Sequence, residues 1–151
     1  MNGPVSSIVR RTARFVASGI FLCAWTDVYR AEAAEIKIIV NSSIKVSALS
    51  LEQLQRVFLL KSNSLPDGSI VEPVLGTGSP AYELFLKNCL GKSDAALSTY
   101  YRSLVFTGRA LMPKTLASDS AVVAYVSKTK GAMGYVSSDT KTDGVRSLTI
   151  K

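Results

Sequence analysis

The spacing of apolar positions changes several times along the chain, and each change marks an element. Ile36 to Val40 (IKIIV) is a nearly unbroken β-branched run and predicts a strand. Asn41 to Ala48 reads as a polar turn region. Ser50-Leu51-Glu52-Gln53 then has the form of a capping box, and Leu51, Leu54, Val57 and Phe58 follow at helical spacing. Ser64-Leu65-Pro66-Asp67-Gly68 is a turn, and Ile70 to Leu75 a second strand that Pro73 sends to an edge or shortens. Gly76-Thr77-Gly78 leads to Ser79, a good N-cap, and Pro80, a good first helical residue. Leu84, Phe85 and Cys89 make the apolar face of that second helix, and Gly91 ends it as a left-handed cap. A third helix starts at Ser93, turns Leu97, Tyr101, Leu104 and Val105 inward and stops at Gly108. Arg109 to Ala117 reads as irregular, broken by Pro113. A fourth helix runs from about Ser118 to Thr129 with Val122, Val123 and Val126 buried, and Lys128 and Lys130 complement its C-terminal dipole. Gly131 to Val136 is a glycine-flanked short strand and Val145 to Ile150 a last one. The order β-α-β-α-α-α-β-β predicts an α/β fold, a small mixed sheet flanked by about four helices, with more helix than strand.

Residues before this pattern read differently. Arg10, Arg11 and Arg14 precede Phe15 to Trp25, an uncharged apolar run whose eleven residues rise about 16 Å as a helix, roughly half a bilayer core. Ala31-Glu32-Ala33 supplies a small-x-small pattern, so residues 1–33 are expected to be a signal peptide cleaved after Ala33, and 34–151 the domain. The alternative is an N-terminal helix retained in the core or at a membrane. Leu22 is not the small residue that a lipidation signal needs before Cys23. Thr12-Ala13-Arg14 displaces the apolar residues that follow a twin-arginine pair.

Composition narrows the chemistry. The chain has 151 residues, 18 Lys+Arg, 11 Asp+Glu and no His, a net charge of +7. Residues 34–151 keep 14 basic and 9 acidic residues, and Cys89 as the one cysteine. Without His there is no Ser-His-Asp triad, Cys-His dyad or His-ligated metal. No paired-acid or Ser-Lys motif stands out, so no enzyme, catalytic residue, metal or cofactor is expected. Cys89 sits in an apolar helical pattern and reads as a small buried hydrophobe. The basic residues are scattered and not interleaved with aromatics, which argues against nucleic acid as a partner.

Four motifs in order resemble the phosphate-binding proteins of ABC transporters. Leu51-Glu52-Gln53-Leu54-Gln55-Arg56-Val57-Phe58-Leu59-Leu60-Lys61 is similar to their "L-x-x-I-F-L-G-K" helix, and Asp67-Gly68 to the turn after it. Val71-Glu72-Pro73-Val74 matches an "I-V-P-V" strand and Gly78-Ser79 a glycine-serine helix start. Val126 to Val136 matches "V-x-x-x-P-G-A-I-G-Y-V". The resemblance covers roughly residues 36 to 136. It implies one lobe of a periplasmic-binding-protein-like fold, exported, non-enzymatic, binding phosphate or a similar oxyanion and working with an ABC permease or another envelope partner. A lone lobe also implies pairing, for instance as a homodimer.

The residues themselves offer an anion site at Thr77, Gly78 and Ser79. Glycine admits close backbone approach, a helix N-terminus presents free N–H groups and about half a positive charge, and two hydroxyls can donate. The same string is also an ordinary well-capped helix start. Aligned on Phe85, the family's Ser-Gly-Thr-Arg becomes Ser79-Pro80-Ala81-Tyr82, so the Thr and the Arg are lost. Arg109 is the best substitute cation and Lys114 a second; both also read as solvated loop charges. Two functions remain open: a weak oxyanion binder, and an envelope interaction module that has kept the lobe without the ligand.

Overall fold

The computed structural model describes residues 35–151. The expected signal peptide, residues 1–33, lies outside them. Six strands form one sheet: β1 (Ile36–Asn41), β2 (Ala48–Leu49), β3 (Glu72–Gly76), β4 (Lys114–Leu116), β5 (Ala132–Ser137) and β6 (Val145–Ile150). Their spatial order is β2-β6-β1-β5-β3-β4. β1 runs antiparallel to β5 and β6, while β3 is parallel to β4 and β5 and β2 to β6. The helices are α1 (Leu51–Phe58), α2 (Pro80–Phe85), α3 (Asp94–Phe106) and α4 (Asp119–Lys128); α2 continues as a π-helical turn, Leu86–Leu90. Helical residues outnumber strand residues, as the sequence pattern predicts.

The run IKIIV is apolar throughout because both of its faces are covered. Ile38 and Val40 join Leu75, Met133, Tyr135 and Leu148 on the face under α1, α2 and α3. Ile39 joins Val74, Ala132 and Val136 on the opposite face, against Val122 and Val126 of α4. Each face has a core of its own, as independent folding requires. α4 lies close because β5 offers Gly134 beneath it: a Cβ there would sit 2.7 Å from Val122 Cγ1. On the other face Phe85 stacks on Tyr135 with ring centroids 4.0 Å apart, and Phe58 meets Phe85 edge-on at 4.6 Å.

Local signals explain most boundaries. The Ser50 side chain accepts from Gln53 N–H at 3.2 Å while the Gln53 side chain accepts from Ser50 N–H at 2.9 Å, a complete capping box. Gly91 ends the π turn in the left-handed region at φ 60°. Tyr100 and Tyr101 of α3 donate to the carbonyls of Leu59 and Phe58 at 2.7 and 2.6 Å, serving acceptors that the end of α1 leaves free. Asn41, the last residue of β1, does the same for α4 by donating to Val126 O at 2.7 Å.

Several expectations need correction. Arg109 to Ala117 is not wholly irregular: Lys114–Leu116 pairs in parallel with β3. Pro73 lies in an interior strand, tolerated because β4 begins pairing only at Val74. Strand β3 starts at Glu72, and Ile70 instead makes a single bridge to Ser64. Val105 is exposed, and Leu104, like Val123 and Leu84, only half-buried, whereas Tyr82, Leu86 and Leu90 are buried. The last turn of α3 runs past the core, so its apolar residues have nothing beneath them. Cys89 is buried, and burial pushes its thiol up.

Replacing Phe85 by Ala removes the ring between Tyr135 and Phe58. Urea unfolding of residues 34–151 is expected to show a loss of about 3–5 kcal/mol.

Candidate functional site

Strands β3 and β4 are parallel neighbours, and each is followed at once by a helix. β3 leads through Thr77-Gly78-Ser79 into α2, which packs on one face of the sheet; β4 leads through Ala117-Ser118 into α4, which packs on the other. Adjacent parallel strands whose helices leave to opposite faces form a switch point at their C-terminal ends, and open α/β sheets bind ligands at such points. Two helix N-termini meet here. Ser79 Oγ accepts from Ala81 N–H at 3.0 Å and Ser118 Oγ from Ala121 N–H at 3.2 Å. The buried Tyr135 hydroxyl accepts Gly76 N–H at 3.1 Å and fixes where β3 ends; burial keeps that phenol protonated.

Asp119, in the first turn of α4, is the residue that sequence reasoning missed. Its Oδ2 accepts from Ser137 N–H at 2.8 Å and from Thr140 Oγ1 at 2.9 Å. Its Oδ1 is buried and receives no hydrogen bond among the described residues. Burial by itself would raise this carboxyl, but Ser79, Ser137 and Thr140 outweigh it and hold the group below the usual 3.8. In sequence Asp119 reads as an ordinary dipole-complementing residue after an N-cap. Nothing local shows that it faces the head of another helix.

The predicted site residues are only partly brought together. Thr77 and Gly78 are exposed and Ser79 is buried beside them. Gly78 is needed for packing: a Cβ would fall 2.1 Å from the Ala117 carbonyl oxygen. Arg109 is elsewhere. It lines a cavity of about 490 Å³ with Lys61, Glu72 and Pro73, at the start of β3. The four residue steps from Glu72 to Gly76 span about 13 Å, so Arg109 sits at the other end of the strand from Ser79. Lys114 places its ammonium 5.9 Å from the Tyr125 ring of α4. Tyr82, standing where the resemblance has Arg, is buried and donates to Asp94 at the head of α3. Among the described residues no cluster of three or more His, Cys, Asp or Glu side chains is placed to hold a metal, and no helix is long and apolar enough to cross a membrane.

No family model and no curated protein matches the sequence. Solved structures do match the fold. A protein described as a phosphate ABC transporter substrate-binding protein, with phosphate bound, from Clostridium perfringens superposes with a TM-score of 0.61 at 16% identity. PstS from Borrelia burgdorferi gives 0.60 at 12%, and an ABC-type phosphate transport receptor from Vibrio cholerae 0.50 at 16%. The superpositions take in 78% of this chain and 45%, 47% and 46% of those proteins, so the chain spans under half their length. The described residues therefore have the fold of one lobe of a periplasmic-binding-protein-like structure.

Two outcomes test this geometry. Gly78→Ala must push the α4 loop away and is expected to lower stability by about 2–3 kcal/mol in urea unfolding. The depressed Asp119 carboxyl stabilises the fold above the unfolded-state value, and that contribution disappears as pH falls through the folded one. Stability is therefore expected to drop below about pH 4, and Asp119→Ala to remove about 1–2 kcal/mol at pH 7 while flattening the acid limb.

Proposed function

We propose that this chain is an exported, non-enzymatic protein of the solute-binding type whose lobe takes phosphate or a similar oxyanion weakly at the head of α2. The observation that carries the reading is the switch point itself. Two capped helix N-termini, at Ser79 and Ser118, converge at the C-terminal ends of β3 and β4. Free N–H groups and two positive dipole ends suit an oxyanion held without covalent chemistry. The lobe fold is shared with a protein that has phosphate bound, which supports the same ligand class. An ABC permease is the partner that such neighbours suggest. The apolar run before Ala31-Glu32-Ala33 supports export to the periplasm or beyond the cell.

Weak binding follows from the charges present. Asp119 puts a carboxylate next to Ser79, and Arg109 is a strand length away. A unit charge about 4 Å from an anion opposes it by about 1–4 kcal/mol at dielectric constants between water and a protein surface. The same two features, with the Ala117 carbonyl against Gly78, favour the second reading: a lobe kept as an interaction module of an envelope complex, its anion site closed by its own residues.

Calorimetric titration of residues 34–151 with inorganic phosphate separates the two. Oxyanion binding predicts millimolar affinity, tightened about fivefold or more by Asp119→Asn, which removes the opposing charge. No heat from either protein at saturating phosphate sinks the oxyanion reading and leaves the interaction module.

A further inference from the structure

We propose that the corner between α3 and β4 docks on an anionic lipid surface, with Phe106, Leu111 and Met112 entering the headgroup layer and Arg102 and Arg109 pairing with lipid phosphates. Phe106 is 93% exposed, Leu111 88% and Met112 53%, and all lie within seven consecutive residues. The corner is a built turn. Gly108 takes φ +66°, its N–H donates to Val105 O at 3.0 Å, and Arg109 N–H donates to Leu104 O at 2.9 Å. Pro113 is buried just beyond it. The apolar side chains are thus held outward by hydrogen-bonded backbone.

Charge selects the partner. No acidic residue occurs between Asp94 and Asp119, while Arg102, Arg109 and Lys114 fall in that stretch. Arg102 precedes Phe106 by one helical turn and shares its face. Arg109 follows Phe106 by three residues and shares a cavity with Lys61. The carboxylate of that cavity, Glu72, accepts from the Tyr125 hydroxyl at 3.1 Å. Shape then decides between a protein and a bilayer. Side chains this exposed make the corner a knuckle, with Leu111 also lining the cavity of Arg109, and a protein partner would need a pocket cut for each. Fluid acyl chains admit them without one, while arginine keeps its head at the phosphate level. Three apolar side chains with two to four cations give weak, reversible, salt-sensitive attachment. The knuckle lies at the start of β3, away from Ser79, so this inference stands whether or not an oxyanion binds.

Sedimentation of residues 34–151 with vesicles tests it. Binding is expected to equal mixtures of phosphatidylglycerol and phosphatidylcholine and not to phosphatidylcholine alone, and to fall as salt rises. Phe106→Ser with Leu111→Ser should cut the bound fraction at least about tenfold, with melting unchanged because both residues are exposed. Arg102→Gln with Arg109→Gln should do so by a similar factor and flatten the salt dependence. The proposal fails if neither vesicle is bound, if neutral vesicles bind as well, or if the Ser pair binds like the parent. It also fails if sedimentation velocity shows a dimer that the Ser pair dissociates, for then a second copy covers the knuckle.

Discussion

The Tyr135 hydroxyl accepts the Gly76 N–H at 3.1 Å while its ring stacks on Phe85, and this one side chain ties the core to the switch point. β5, which carries it, lies between β1 and β3 and is buried on both faces. Because the phenol is fixed on the α2 side, β3 must end at Gly76. The next three residues then have one route, against the loop that leaves β4. Gly78 is the residue without a side chain at the crossing, and Ala117 supplies the carbonyl that fills the space. Packing in the core therefore sets where the two helix N-termini meet.

Most of the fold was legible because its signals are local. A capping box needs Ser50 and Gln53 three residues apart, and a left-handed stop needs a glycine such as Gly91; both can be read without knowing the partners. The alternation that puts Ile38 and Val40 on one face and Ile39 on the other is equally local. β4 was not legible. Lys114-Thr115-Leu116 is short, follows a proline and has no alternation to detect, and becomes a strand only because β3 offers it a ladder. The edge position offered for Pro73 failed for the complementary reason: its missing N–H matters only where a neighbour asks for it, and β4 starts pairing one residue later.

The site was half legible. Ser79 and Gly78 announce a helix start, and the structure puts them at a switch point. The roles of single residues there depend on contacts distant in sequence. Gly78 is required by Ala117, 39 positions on, and Asp119 reaches the head of α2 from a different helix. Arg109 illustrates the limit most clearly. Its place after α3 suggested that it could swing towards Ser79, yet parallel pairing of β3 and β4 sends the α3–β4 connection to the opposite end of the strands. Topology, which no local pattern encodes, decided the matter.

That separation bears on how the charges are distributed. The end of β3 that carries the helix N-termini also carries Asp119, so its positive dipoles are partly answered from within the chain. The other end carries Lys61 and Arg109 with the Glu72 carboxylate in the same cavity, beside exposed apolar side chains. The switch point offers mixed charge, and the corner two cations and one carboxylate beside exposed apolar side chains. The two ends of one short strand thus present different chemistry, and a substitution at one leaves the other's charges where they are.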